Sequence, residues 1–331
     1  MNQLGIDVSN DTLDASRSGE GPIARRRFAN TPSGHRQLLR WALNPSGAAQ
    51  VCLEATGVYH LQLALALYHH SAIELMVVNP RAARRFAEAH MVRAKTDAID
   101  ADGLLLMVQR MPFRPWAAPR DELLQLQSLA HRVAQLDKEL TRERSRLHAV
   151  RKAGPHTGPV QQDIQAHIKQ LQRRKDAMQA RAEALIQRDQ ALADDARLID
   201  TAPGFAARSA TQLLAELAPL PKDMQASQWV AQAGIDPRPG ESGTSVRSAR
   251  QISKQGNARI RAALFMPALV AIRHDANVVA YYQHLLARGK SKMTAITAVM
   301  RKLLVAIWGM LHHRQEWDGE KFYRLKLPQT A

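Results

Sequence analysis

The chain has 331 residues and carries 46 lysines and arginines against 30 aspartates and glutamates, a formal net charge of +16 and a pI of about 10.5. Such an excess favours a polyanionic partner, because Lys and Arg gain affinity by displacing counterions from phosphates, although charge alone does not separate DNA from RNA or from an acidic membrane surface. The length admits two or three domains, no run approaches the roughly 18 apolar residues of a spanning helix, and the start Met-Asn-Gln-Leu-Gly lacks the basic and apolar stretches of a signal peptide, which together read as a cytosolic bacterial-type protein.

Residues 1 to 117 alternate strands and helices. Leu4 to Val8 is a first strand, with Thr12 to Ser16 and Ile23 to Ala29 as antiparallel partners across a turn at Ser18–Pro22. A helix opens at Thr31-Pro32-Ser33 and runs to Leu43. A strand over Gln50–Glu54, a helix over Tyr59–Tyr68 and a strand over Ile73–Val78 follow, then helices over Arg81–Ala89 and Thr96–Gln109. Three antiparallel strands followed by alternating helices and strands predict an α/β layered domain in the order of the ribonuclease-H-like fold. Cys52, the single cysteine, falls in an apolar strand pattern and reads as a small core residue.

Pro112, Pro115 and Pro119 mark a boundary, after which the period changes. Leu126, Leu129, Val133, Leu136, Leu140, Leu147 and Val150 form a heptad seam interrupted at Glu143. A Gly/Pro turn at 153–159 breaks it, and a weaker seam runs from Ile164 through Ile168, Leu171, Met178 and Leu185 to Leu192, with Lys175 and Ala182 in between. Residues 118–195 are therefore expected to form a long antiparallel coiled-coil arm, with pairing to another subunit favoured over a purely internal hairpin. Residues 196–331 read as a mostly helical region, with a Pro203-Gly204-Phe205 turn before a helix to Leu217, a loop over 234–244, and helices over Asn257–Arg273 and Lys292–His312. A Pro-Gly turn before a helix can grip a phosphate, but a plain turn and cap explain it at least as well. The adjacent pairs His69-His70 and His312-His313 read as helix-end residues, and the few dispersed tryptophans indicate no base-stacking platform.

Four acids stand out. Asp7 closes the apolar run Leu4-Gly5-Ile6, Glu54 closes Val51-Cys52-Leu53, and Asp97 and Asp100 share a helix face at i and i+3. Singly each has an ordinary explanation as a turn, cap or first-turn residue. Together, two strand ends and one helix face can converge four carboxylates, which repel unless a hard cation such as Mg²⁺, or Mn²⁺, sits among them, and such ions act on phosphate esters. Asp102 falls off the shared face and is expected to be solvated. Arg81, Arg84, Arg85, Arg93 and Lys95 precede the acidic helix as candidate phosphate contacts. Further on, Glu241-Ser242-Gly243 lies in a flexible loop followed by Arg247, Arg250, Lys254, Arg259 and Arg261. Ser242 among these cations could attack a phosphodiester, with Ser245, Ser248 and Ser253 as competitors, although Gly-Ser-Thr loops are more often turns.

These motifs resemble the DEDD-type insertion-sequence transposases, a family related to Piv-type DNA invertases and including bridge-RNA-guided recombinases. Gly5-Ile6-Asp7, Glu54–Tyr59 and Lys95–Ala101 resemble the acidic motifs. Ala233–Pro237, Glu241-Ser242-Gly243 and Ile252–Asn257 resemble the C-terminal ones. The resemblance implies a RuvC-like (ribonuclease-H-like) domain over 1–117, a coiled-coil insertion over 118–195 and a C-terminal transposase domain over 196–331. It carries metal ligation to Asp7, Glu54, Asp97 and Asp100 and the nucleophile's role to Ser242. It further implies donor and target double-stranded DNA, a structured guide RNA, and a homo-oligomer, dimer or tetramer, in which one protomer's acids serve another's serine at the bacterial nucleoid. The rival readings are a Mg²⁺-dependent hydrolytic junction resolvase, in which Ser242 is structural, and a non-catalytic nucleic-acid-binding scaffold.

Overall fold

The computed structural model of the chain describes residues 1–331 except 19–20, 91–96, 238–240, 243–245, 248–250 and 326–331, and gives the backbone alone at 97–98, 241–242 and 246–247. It folds as two units, Met1–Ala118 and Pro119–Ala331.

The first unit comprises β1 (Asn2–Val8), β2 (Thr12–Arg17), β3 (Ala24–Ala29), α1 (Pro32–Leu43), β4 (Ala49–Glu54), α2 (Leu61–Tyr68), β5 (Ile73–Val78), α3 (Pro80–Ala89) and α4 (Asp97–Arg110). The strands form one mixed sheet in the order β3-β2-β1-β4-β5. The β1–β2 and β2–β3 pairs are antiparallel, and β1–β4 and β4–β5 are parallel. This arrangement is consistent with a ribonuclease-H-like DEDD domain. Strand alternation sorts the residues to two faces. Leu4, Ile6, Val8, Leu13, Val51, Leu53 and Leu75 pack with Leu38, Leu63 and Leu67 of α1 and α2. On the other face Cys52, Met76 and Val78 pack with Leu104, Met107 and Val108 of α4. Local signals set the helix starts. The Thr31 side chain accepts from Gly34 N at 3.2 Å before Pro32, and Asn79 accepts from Arg81 N at 2.9 Å before Pro80. Cys52 is fully buried, and burial pushes its thiol up to about 12, so it is the core residue its context predicts.

Helix α4 lies directly on β1 at Gly5. A Cβ there would stand 2.1 Å from Leu105 N and 2.2 Å from Ala101 O, so only hydrogen fits.

The second unit comprises α5 (Asp121–Ala153), a 3-10 turn over Pro155–Thr157, α6 (Gly158–Arg188), α7 (Gln190–Thr201), α8 (Ala207–Leu217), α9 (Ala226–Ala233), a two-residue pair β6 (Glu241–Ser242) and β7 (Val246–Arg247), α10 (Ala258–His274), α11 (Ala276–Ala287), α12 (Lys292–His313) and α13 (Gly319–Phe322). Helices α5 and α6 run antiparallel along each other, and the seam residues Leu126, Val133, Leu136, Leu140, Leu147, Ile164, Leu171 and Ala182 are buried within the one chain, while near the end of α6 Ile186 is buried and the expected Leu185 only half-buried. The two polar seam positions are buried as ion pairs. Lys175 Nζ donates to Asp137 Oδ1 at 2.6 Å, and Glu143 accepts from Arg146 at 2.5 Å. The second seam ends earlier than its spacing suggests. Asp189 leaves helical geometry, its side chain accepts from Leu192 N at 3.2 Å, and Arg120 holds it at 2.7 Å, so Leu192 belongs to α7. Between the two expected C-terminal helices stands α11, started by Asp275, which accepts from Val278 N at 2.9 Å.

One further expectation needs correction, and one open alternative is decided. Helix α12 is long and apolar enough to cross a membrane by length and composition alone, with a mean hydropathy of 1.5. Its apolar side, from Ala295 through Val299, Leu303 and Ile307, is packed into the helical core, which accounts for its composition. At Gly204 (φ 84°) a Cβ would lie 2.2 Å from Pro267 O of α10. The turn therefore serves close helix packing, and the carbonyl it faces repels rather than grips a phosphate.

Gly5→Ala is predicted to destabilise the protein by about 1–3 kcal/mol, because the added methyl meets backbone that cannot rotate away. Gly103→Ala, with nothing within 4 Å of its added Cβ, should be neutral or stabilising. Paired denaturant melts of the two variants check this.

Candidate active site

The strand register brings two of the expected acids side by side. Ile6 of β1 pairs with Leu53 of parallel β4, so Asp7 and Glu54 are the next residues along two neighbouring strands. Asp7 is two residues beyond Gly5, and Glu54 two beyond Cys52, so both project to the face that α4 covers. Both are half-buried. On α4, Asp100 precedes Ala101, whose carbonyl touches the Gly5 position. Asp100, Leu104 and Met107 stand at i, i+4 and i+7, and the latter two reach Met76 and Val78. Asp100 thus occupies the flank of α4 that faces β4 and β5. Asp97, three residues earlier on the helix backbone, has a side chain outside the described residues.

Asp102 behaves differently from expectation. It lies on the opposite flank of α4 and is not solvated. Ser16 Oγ of β2 donates to its Oδ1 at 2.6 Å, and Arg25 of β3 grips it in a fork, Nε at 3.0 and 3.1 Å and Nη2 at 2.7 Å. Burial pushes this carboxyl up, but the Arg25 and Ser16 hydrogen bonds and the Arg25 charge outweigh burial and hold it below its ordinary value. Asp102 therefore clamps α4 to the antiparallel half of the sheet, and Arg25 occupies it as a partner. A second pair lies next to Asp7. Asp14, the register partner of Asp7 on β2, accepts from Arg27 Nε at 2.9 and 3.2 Å. Sequence reading missed Asp14, Arg25 and Arg27. The alternating polar positions of Thr12–Ser16 and the Arg25-Arg26-Arg27 run, an edge strand's protective charge, held the signal.

The flanking cations divide. Arg84 pairs with Glu88 on the exposed surface of α3 at 2.9 Å, a contact worth little against a phosphate, and Arg85 is exposed. Arg81 is half-buried at the start of α3. Arg93 and Lys95 lie outside the described residues.

In the second unit, Ser242 is the end of β6, its backbone paired with Val246. The side chains of Ser242 and Arg247, and Ser245, Ser248 and Arg250 altogether, lie outside the described residues. The Ser253 hydroxyl donates to Asp236. Lys254 and Arg259 are exposed. Arg261 is not a free phosphate contact. Its Nη1 donates to Ala233 O at 2.7 Å and closes the C-terminal end of α9. Beneath this region Glu216 is buried between two donors, with His131 Nε2 at 2.6 Å from Oε1 and Asn257 Nδ2 at 2.6 Å from Oε2. Burial raises its pKa, yet the His131 and Asn257 hydrogen bonds prevail and lower it. Asn257 also caps α10 by accepting from Arg259 N at 2.9 Å, so one carboxylate ties α5 and α8 to the start of α10.

Asp7, Glu54 and Asp100 form an all-oxygen donor set that suits a hard divalent ion by chemistry. Among the described residues, however, no three His, Cys, Asp or Glu side chains stand close enough to hold one. The backbone brings three of the four expected ligands to one end of the sheet, and a closed metal cage is not formed by the described side chains.

A layered DEDD fold with acids at the ends of neighbouring parallel strands belongs to a class of nucleic-acid phosphodiester enzymes. Residues 4–153 match the DEDD-type IS110 family described as "Transposase", and residues 196–283 match the "Transposase IS116/IS110/IS902 family". The pilin gene-inverting proteins of Moraxella bovis and Moraxella lacunata are each 27% identical over 324 residues, which cover 95% of this chain and 97% of the relative. An uncharacterised 43.6 kDa protein of insertion element IS110 from Streptomyces coelicolor is 27% identical over 131 residues, 40% of this chain and 31% of that one. The chain belongs to the IS110-type transposases, related to the pilin gene-inverting proteins, and is a DNA transposase or recombinase. Membership implies a DNA substrate and a general dependence on a divalent metal.

The Asp102 clamp predicts a pH dependence. Its folded-state pKa lies below the unfolded one, so the carboxylate contributes stability above the ordinary carboxylate range, and that contribution disappears as pH falls through the folded value. Asp102→Asn should therefore be less stable than wild type at pH 7, with the gap in urea midpoint closing as the pH is lowered toward 3. A gap independent of pH would contradict the clamp.

Proposed function

We propose that the protein cuts and rejoins DNA strands at specific sites through a serine–phosphodiester intermediate, with Ser242 as nucleophile and Asp7, Glu54, Asp97 and Asp100 as ligands of Mg²⁺ or Mn²⁺. The observation that carries this reading is the adjacency of Asp7 and Glu54 at neighbouring parallel strand ends beneath the flank of α4 that bears Asp100. When bound, the metal supplies charge stabilisation for the attacking and leaving oxygens. The chain's own residues supply the rest. The Ser242 hydroxyl gives up its proton and forms a bond to phosphorus, while the bond from phosphorus to a deoxyribose oxygen breaks and that oxygen takes a proton. One phosphodiester replaces another, so a new strand's hydroxyl can reverse the step without an energy source. Exposed Arg85, Lys254 and Arg259, with Arg84 released from Glu88, position phosphates.

The full-length likeness to proteins named for inverting a pilin gene supports conservative cutting and rejoining over simple hydrolysis. On the family resemblance, the chain divides into a RuvC-like domain (1–117), a coiled-coil arm (118–195) and a C-terminal transposase domain (196–331). It assembles as a dimer or tetramer in which one protomer's acids serve another's serine, and uses a structured guide RNA that pairs with donor and target DNA.

Denaturing gels of the protein reacted with cognate DNA should show a covalent adduct that Ser242→Ala abolishes. Asp100→Asn should lower adduct formation by about a thousandfold, because several kcal/mol of charge stabilisation is lost. Undiminished cleavage by Ser242→Ala would establish a hydrolytic resolvase instead.

A further inference from the structure

The charge on the α5–α6 pair is unevenly distributed along its length. Over 121–140 and 175–188, the half nearest the helical core, six acids face five lysines and arginines. Over 141–174, the half nearest the turn, eight exposed lysines and arginines face a single exposed acid, Asp163. Among the described residues Arg146 is the one member of that cationic set with an ion-pair partner, Glu143. The seam accounts for Arg146 alone, through buried Glu143, and is otherwise filled here by Leu140, Leu147, Ile164 and Leu171. Like charges held this close repel, and Glu143 and Asp163 are the acids of this stretch that offset eight cations.

The cations lie in ordered rows. Arg144 and Arg151, at i and i+7 with Lys152 beside them, line one flank of the seam. Arg142 and Arg146, at i and i+4, line the other, where Arg174 of α6 joins them seven residues beyond His167, whose Nδ1 is 3.9 Å from Glu143. One flank carries cations from Arg144 to Lys152, about 12 Å of rise, and the other from Arg142 to Arg146, about 6 Å, with Arg174 beyond them, so the rows of α5 together cover about 15 Å, or about four base pairs of duplex. No Phe, Trp or Tyr occurs between residues 117 and 204, so the surface lacks the large aromatic platforms on which unpaired bases stack, and its rings are the imidazoles of His148, His156 and His167. Rows of cations with no Phe, Trp or Tyr among them fit a paired backbone, and family membership supplies the DNA.

We propose that the turn-proximal half of the α5–α6 pair, residues 141–174, is a docking surface for the phosphate backbone of double-helical DNA. It uses none of the expected metal ligands and not Ser242, and it rests on the DNA substrate that family membership implies, not on the serine chemistry. It reads no sequence. It holds a duplex arm in register by charge alone.

The test uses the full-length protein and measures affinity for a duplex DNA against salt concentration, with a folded RNA hairpin of equal length as a second probe. The variant Arg144→Ala/Arg151→Ala/Lys152→Ala should lower DNA affinity by about tenfold or more and reduce the slope of log K against log salt by about three, one per lost phosphate contact. The control Lys138→Ala/Arg181→Ala/Arg188→Ala, taken from the core-proximal half, should leave the slope unchanged. Lysine in place of Arg144 and Arg151 should restore binding, because phosphate accepts a point charge, and circular dichroism and melting confirm the fold of each variant. An unchanged slope, an equal loss in the control, or a loss confined to the RNA would overturn the proposal. Ser242→Ala should bind as wild type in the same assay, so a failure of the serine chemistry remains distinguishable.

Discussion

One missing side chain organises the first unit. With hydrogen at Gly5, the backbone of α4 settles onto β1 at a distance no Cβ allows. That contact fixes the axial position of the helix, and therefore where its first turn stands relative to the ends of β1 and β4. Asp7 and Glu54 are adjacent because β1 and β4 are parallel and in register, and Asp100 reaches the same end because Ala101 sits over Gly5. The rotation of the helix is fixed separately, by Arg25 and Ser16 gripping Asp102 on one flank and by Leu104 and Met107 packing on the other. Acids that would repel one another are thus held by contacts made elsewhere on the same helix, the arrangement expected of a preorganised site.

The second unit relies on buried polar pairs rather than on one close approach. Lys175 with Asp137, and Glu216 between His131 and Asn257, link helices distant in sequence. Such pairs contribute little net stability over an apolar core, but removing one partner leaves a buried charge without compensation. The Glu216 link also holds the start of α10, because Asn257, which caps that helix, donates to it.

Much of this was legible in the residues. Short apolar runs bounded by turn signals located every strand of the sheet within one or two residues, with Asp7 and Glu54 closing two of them, and Thr31-Pro32 and Asn79-Pro80 marked their helices because caps act locally. The less legible features depend on contacts far apart in sequence. Asp102 reads as a surface acid until β2 and β3 bring Ser16 and Arg25 beneath it. Arg261 reads as a phosphate contact until α9 ends beside it. At Gly204 the sequence leaves a phosphate turn and a plain turn open, and the approach of Pro267 favours the plain one. The seam reading ran past Asp189 because Leu192 keeps the spacing although the helix has turned.

The central claim is that the ends of β1 and β4 and the first turn of α4 surround one divalent cation. Replacing that cation with Fe²⁺ and adding ascorbate and peroxide cuts the polypeptide near the bound metal. The account predicts three groups of cuts together, near residues 7, 54 and 97–100, all suppressed by excess Mg²⁺. Cuts clustered elsewhere, or at one of these segments without the others, would contradict it.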